Sequence, residues 1–174
     1  MRRLLLGLCL FMACLANASQ AIPDVARAHA ESWNVLGKGQ MSWFGLRLYT
    51  AELWSSQAAF DPASTYALKL TYDRSFAGVR LSSASVDEMR RIGMRDEAVL
   101  ARWQQYMDKV FPDVKEGDAL TGVFLPGKGA VFYLGSKLVG EVNDPAFAAA
   151  FFGIWLDART SEPALRRQLI GQRS

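Results

Sequence analysis

Along residues 66–74, YALKLTYDR, apolar and polar positions alternate. Tyr66, Leu68, Leu70 and Tyr72 fall on one side, Lys69, Thr71 and Asp73 on the other. Successive side chains of a strand point to opposite faces, so the pattern predicts a half-buried strand. Upstream, residues 32–54 read as two more strands, interrupted by Gly37, Gly39 and Gly45. Glycine inside a strand marks a bulge or the close approach of another backbone. Downstream, residues 118–142 run LTGVFL, PGKG, AVFYL, GSK, LVGEV. Short apolar runs with glycine-containing turns between them predict consecutive antiparallel hairpins.

Between these β blocks the period changes. Ser85-Val86-Asp87-Glu88 matches a capping box, in which serine and glutamate satisfy each other's backbone amides. It predicts a short helix from Ser85 to near Gly93. A second helix starts near Asp96, carries Val99, Leu100, Trp103, Tyr106, Met107 and Val110 at helical spacing, and stops at Pro112. Asp144-Pro145 reads as a cap followed by a first-turn proline. The helix it opens, FAAAFFGIWL (147–156), is apolar nearly all round and must be buried. Ser161 opens a last amphipathic helix through Leu165, Leu169 and Ile170, ended by Gly171. Strands, helices, strands, helices is the order of an α+β fold: a large antiparallel sheet with helices gathered on one face.

The amino-terminal segment is set apart from this pattern. Arg2 and Arg3 precede an apolar run at 4–16, and Ala16-Asn17-Ala18 is a small-x-small cleavage site, with Ser19-Gln20-Ala21 a second option. The apolar run, LLLGLCLFMACLA, falls short of the ~20 residues a membrane span needs. The segment therefore reads as a secretory signal peptide, residues 1–18, removed on export to the periplasm. Phe11-Met12 ahead of Ala13-Cys14 is a poor match to a lipoprotein signal. One domain is expected over 22–171.

Removal of that segment changes the chemistry on offer. Both cysteines, Cys9 and Cys14, go with it. The mature chain then has no disulfide, no thiol nucleophile and no cysteine-ligated zinc. Charge falls from +3 to +1, 18 basic residues against 17 acidic. That balance lacks the basic stripe that nucleic acid calls for. With 51% apolar and 21% charged residues, the composition is globular. His29 is the sole histidine, so no metal site built from several histidines can be assembled. Asp87/Glu88 and Asp96/Glu97 are helix-start acids that suit the helix dipole. PGKG at 126–129 lacks the spacing and following helix of a phosphate loop. No catalytic residue, cofactor or metal is expected.

Three segments carry a resemblance. The first is Gly37-Lys38-Gly39-Gln40-Met41 with Arg47-Leu48-Tyr49 and Ala51-Glu52-Leu53-Trp54; the second is Leu70-Thr71-Tyr72-Asp73-Arg74. The third, and most specific, is Asn143-Asp144-Pro145 through Phe151-Phe152-Gly153-Ile154-Trp155-Leu156, followed by Leu165-Arg166-Arg167-Gln168-Leu169. Together they resemble the bacterial chalcone isomerase-like proteins, exported relatives of plant chalcone isomerase and of plastid fatty-acid-binding proteins. The resemblance implies an open-faced β-sandwich with a ligand cleft between sheet and helices. It also implies a departure. Where the plant enzymes place an arginine that stabilises phenolate charge, this chain has Met41, an apolar filler without charge. The plant catalytic threonine falls near Tyr49.

If the strands keep period two across the turn, Met41, Trp43, Arg47 and Tyr49 share one face. Arginine and a phenol on an apolar wall would grip a carboxylate. Arg47 reads equally as a surface cation and Tyr49 as a core tyrosine. Arg74 is either a second basic group in the cleft or a strand-end cation, and Tyr106 a core aromatic or a ligand contact. Arg74 and Arg80 are also candidates to replace the arginine missing at 41. The expected function is non-catalytic binding of a small amphipathic or acidic ligand, such as a fatty acid. The alternatives are an isomerase or intramolecular lyase using Tyr49 and Arg47, and a ligand-free envelope interaction module displaying Trp33 or Trp54.

Overall fold

The computed structural model describes residues 24–172. The predicted signal peptide, with Cys9, Cys14 and both cleavage options, lies outside the described residues. Six strands follow the sequence order across one sheet, and every neighbouring pair is antiparallel. They are β1 (Asn34–Trp43), β2 (Leu46–Ser55), β3 (Tyr66–Tyr72), β4 (Ala119–Leu125), β5 (Gly129–Leu134) and β6 (Lys137–Val142). Helices α1 (Gly78–Arg91) and α2 (Glu97–Val110) interrupt the meander between β3 and β4, and α3 (Pro145–Leu156) and α4 (Pro163–Leu169) close the chain. This is the α+β arrangement that the element order implied.

The alternation read in β3 sets the two faces. Tyr66, Leu68, Leu70 and Tyr72 all lie in the main core with Ala51, Leu53, Phe124 and Phe132 from neighbouring strands. The helices supply Met89, Trp103, Phe147, Phe151 and Trp155 to the same cluster. α3 is buried as its composition required, and it seats on bare backbone: a Cβ on Gly122 of β4 would stand 3.0 Å from the Phe152 ring. On the opposite face a smaller cluster, Ala26, Trp54, Ala67 and Val123, is partly covered by the 3-10 turn Asp24–His29. Beside it Glu52 is bracketed by Lys38 at 2.8 Å and Lys69 at 3.4 Å.

The β1 glycines mark a close approach, as read. A side chain on Gly37 would collide with the backbone carbonyls of Gln168 and Leu169, and one on Gly39 with the side chains of Leu165 and Gln168. Helix α4 therefore lies directly on β1. Two register shifts accompany this, leaving Leu36 of β1 and Leu48 of β2 as the extra residues.

Two helix starts differ from expectation. Ser85 does not cap a helix: α1 begins seven residues earlier, and Ser82, Ser83 and Ser85 each donate to the carbonyl four residues back. The amide of Gly78 donates instead to the Asp113 carboxylate at 2.8 Å, a partner distant in sequence. Likewise α4 begins at Pro163, and the Ser161 hydroxyl donates to Glu88 at 2.7 Å. Asp96 and Asp144 do cap their helices. Asp144 also accepts from the Trp103 indole N–H at 3.0 Å, which joins α2 to the start of α3.

Candidate functional site

The bulge at Leu48 separates two residues expected together. Tyr49 pairs with Met41, whereas Arg47 pairs with Ser42 on the opposite face. Met41 and Tyr49 thus meet on the core face, packed against the main cluster. Arg47 is exposed, and Trp43 stands 61% exposed at the hairpin tip. Arg74 is exposed just beyond β3. Tyr106 sits elsewhere, edge-on to Phe147 and lining a hollow of about 310 Å³ with Lys109, Glu141 and Asp144. The four-residue shared face is therefore not formed, because one extra residue reverses the side of everything before it.

Around Tyr49 the cleft is filled with protein. The Trp155 indole N–H donates to the Tyr49 hydroxyl at 2.9 Å. The Tyr72 ring lies edge-on to Tyr49, with centroids 6.1 Å apart. Burial pushes the Tyr49 phenol up to about 12, against the opposing effect of the Trp155 bond. A phenol held that firmly neutral is an acceptor for Trp155 rather than a base at ordinary pH.

Open space lies at the other end of β3. A hollow of about 360 Å³ opens between the core face of the sheet and the helices. Tyr66 and Phe124, stacked at 4.6 Å, form its sheet wall. Phe60 from the β2–β3 loop flanks Tyr66 at 5.7 Å. The small residues Ala149 and Gly153 line its α3 wall, and Leu156 and Asp157 end that wall. Arg166 of α4 completes it.

Arg166 is the unusual member. It is half-buried, and its Nε–H donates to the Leu156 carbonyl at 2.7 Å. Its terminal amino groups have no hydrogen-bond or ion-pair partner among the described residues. Asp157 does not claim them, because it is held by Arg159 through Nε at 2.9 Å and Nη2 at 2.8 Å. Arg159 accordingly pulls the Asp157 carboxyl down to about 2. Arg166 adds to that pull without forming an ion pair with Asp157, so this end of the hollow sets two guanidinium groups beside one carboxylate. The Tyr66 phenol, pushed up by burial, remains protonated and has no hydrogen-bond partner among the described residues.

None of the expected ligand-binding residues, Met41, Trp43, Arg47, Tyr49, Arg74 and Tyr106, lines this hollow. Arg166 stood within the Leu165-Arg166-Arg167-Gln168-Leu169 segment, and its signal was a cation beside two leucines that are both buried. Tyr66 was placed on the core face, but nothing local distinguished it from Tyr72.

The family model for chalcone isomerase-like proteins matches residues 16–171. The chain belongs to the chalcone isomerase-like family. Among solved structures, a fatty-acid binding protein of Arabidopsis thaliana superimposes with a TM-score of 0.61. The match covers 81% of this chain and 88% of that one at 11% identity, so the likeness is one of fold. No curated protein sequence matches. The chalcone isomerase-like fold accounts for the sheet order, the single helical layer and the crevice between them. In this member the crevice is filled by Trp155 beside Tyr49 at one end of the strands and open beside Tyr66, Phe124 and Arg166 at the other.

Proposed function

We propose that this chalcone isomerase-like protein is a non-catalytic, exported carrier of a small amphipathic acid held in the hollow beside α4. The observation that carries the reading is Arg166: a half-buried guanidinium with free terminal amino groups at one end of an aromatic and aliphatic hollow. A carboxylate there receives two charge-assisted hydrogen bonds from Arg166, with the Tyr66 hydroxyl as a further donor. The hydrocarbon lies against Phe60, Phe124 and Leu156. Binding pockets for small molecules start at about 300 Å³. At roughly 30 Å³ per non-hydrogen atom, borrowed from liquid water, the hollow takes about a dozen atoms, the size of decanoate. The fatty-acid binding protein that shares the fold supports this ligand class. The absence of charge at Met41 and the neutral, engaged Tyr49 support binding without chalcone cyclisation.

Displacement of a fluorescent fatty acid by octanoate, decanoate and dodecanoate tests the proposal. Losing the charge-assisted bonds costs ~1.5–3 kcal/mol, so Arg166→Gln should weaken decanoate binding about 10- to 100-fold. Arg167→Gln, on the exposed side of the same helix, should bind normally. No saturable binding, or equal affinity in Arg166→Gln, would overturn the proposal. Export predicts that the recovered chain begins at Ser19 or Ile22, read by amino-terminal sequencing; retention of Met1 in the periplasmic fraction contradicts it.

A further inference from the structure

At the opposite end of the sheet from the hollow, the β1–β2 hairpin presents its most apolar residues to solvent. Trp43, Phe44 and Leu46 are 61%, 87% and 47% exposed. The Trp43 and Phe44 rings meet edge to face at 4.7 Å. The turn itself is strained. Phe44 has φ +47° and Gly45 φ +77°, the pair of left-handed residues of a type I′ turn. Asparagine or glycine is the ordinary occupant of the first position, and a bulky side chain there is an outlier. The phenyl ring of Phe44 is thus held in water by a backbone conformation that disfavours it.

Within the hairpin itself the charge has one sign. From Ser32 to Ala51 the hairpin holds Lys38 and Arg47 and no acidic residue. Lys38 is engaged with Glu52, but Arg47 has no ion pair among the described residues. Arg74 follows Asp73, whose amide donates to the Leu48 carbonyl at 2.9 Å, so a second unpaired cation flanks the base of the hairpin. Asp73 is an acid beside them, with one carboxylate oxygen buried and without a hydrogen-bond partner among the described residues, and the turn carrying Glu116 and Asp118 adjoins the same end of β3 through the Tyr72 amide, which donates to the Asp118 carbonyl at 2.9 Å.

We propose that this hairpin tip docks the protein on an anionic lipid bilayer. Trp43, Phe44 and Leu46 enter the headgroup–acyl boundary, where aromatic side chains are favoured. Arg47 and Arg74 meet the anionic headgroups. The patch exposes on the order of 400 Å² of apolar surface, large enough to carry function. It is well below the roughly 800 Å² per partner of a stable protein interface. A second copy of the chain set tip to tip would bring Arg47 and Arg74 against their own counterparts. A bilayer asks only for a few inserted side chains and a negative surface. The inference does not rest on the ligand reading, since the hollow and the hairpin use different residues.

Co-sedimentation with phosphatidylcholine vesicles containing phosphatidylglycerol, and with phosphatidylcholine alone, tests it on chains purified identically. The unmodified chain should partition more strongly into the anionic vesicles. Phe44→Asn places the preferred residue in the turn, so the hairpin should keep its structure while partition falls about tenfold. Trp43→Ser is the second apolar variant, and Arg47→Gln should narrow the preference for anionic lipid. Three results would overturn the proposal: unchanged partition in both Phe44→Asn and Trp43→Ser, equal partition into the two vesicle types, or a dimer in analytical ultracentrifugation that Phe44→Asn dissolves.

Discussion

Replacing Gly37 with alanine tests how α4 is held, and the cost can be worked from the contact. The new Cβ would run into the Gln168 carbonyl and stand 2.7 Å from that of Leu169, far inside the 3.4 Å at which ordinary contact begins. Both obstacles are backbone, so no rotamer change relieves them. Helix α4 must lift from β1, and with it Leu165 and Leu169, both buried in the main core. Each buried leucine contributes about 1.5–3 kcal/mol. Partial loss of both gives about 3 kcal/mol, set against a gain of ~0.4–1 kcal/mol from stiffening the unfolded chain. The net expectation is a loss of about 2–3 kcal/mol. Gly39→Ala meets only the side chains of Leu165 and Gln168, and those can rotate. It should cost about 1 kcal/mol, the lower end of overpacking. Urea unfolding followed by tryptophan fluorescence measures both. A neutral Gly37→Ala, or a Gly39→Ala that costs more, would refute this account of the β1–α4 contact.

Trp155→Phe should lose about 2 kcal/mol, because it leaves the Tyr49 hydroxyl without its donor. The double variant with Tyr49→Phe should cost less than the sum of the two, read from a double-mutant cycle in urea. The raised pKa of Tyr49 gives an alkaline signature: stability holds below the unfolded value of ~10 and is lost as pH climbs toward 12, at about 1.4 kcal/mol per pH unit. Tyr49→Phe should reduce the alkaline slope by about 1.4 kcal/mol per pH unit in unfolding midpoints measured from pH 9 to 12, leaving the share of Tyr66 and Tyr72, whose phenols burial also raises. Asp144→Ala removes both a helix cap and the Trp103 partner and should cost about 2 kcal/mol by thermal unfolding. Burial raises the Asp144 carboxyl, but the Phe147 amide and Trp103 indole outweigh it and hold the carboxyl low. Its contribution is therefore present above ~pH 4 and fades as pH falls through the depressed value, so wild type and Asp144→Ala should converge in acid.

How much could be read from the chain depended on how local the physics was. The alternation in β3, the hairpin turns of β4–β6 and the Asp144-Pro145 cap are written within a few residues of where they act. The start of α1 is not: its first amide is satisfied by Asp113, and Ser85, which has capping chemistry, spends its hydroxyl on the Leu81 carbonyl. Gly37 and Gly39 announced a close approach, but only the fold shows that α4 is what approaches. The expected grip of Arg47 and Tyr49 failed on one residue, the bulge at Leu48, which no local pattern marks. Arg166 looked like its neighbour Arg167 until α4 was docked on β1 and turned one of them inward.

A crystal structure of the protein grown with decanoate tests the central claim most directly. The account predicts the carboxylate within hydrogen-bond distance of the Arg166 terminal amino groups and the chain along Phe60, Tyr66 and Phe124, with the Trp155–Tyr49 bond intact. An empty hollow at saturating decanoate, or a ligand lodged between Met41 and a displaced Trp155, would contradict it.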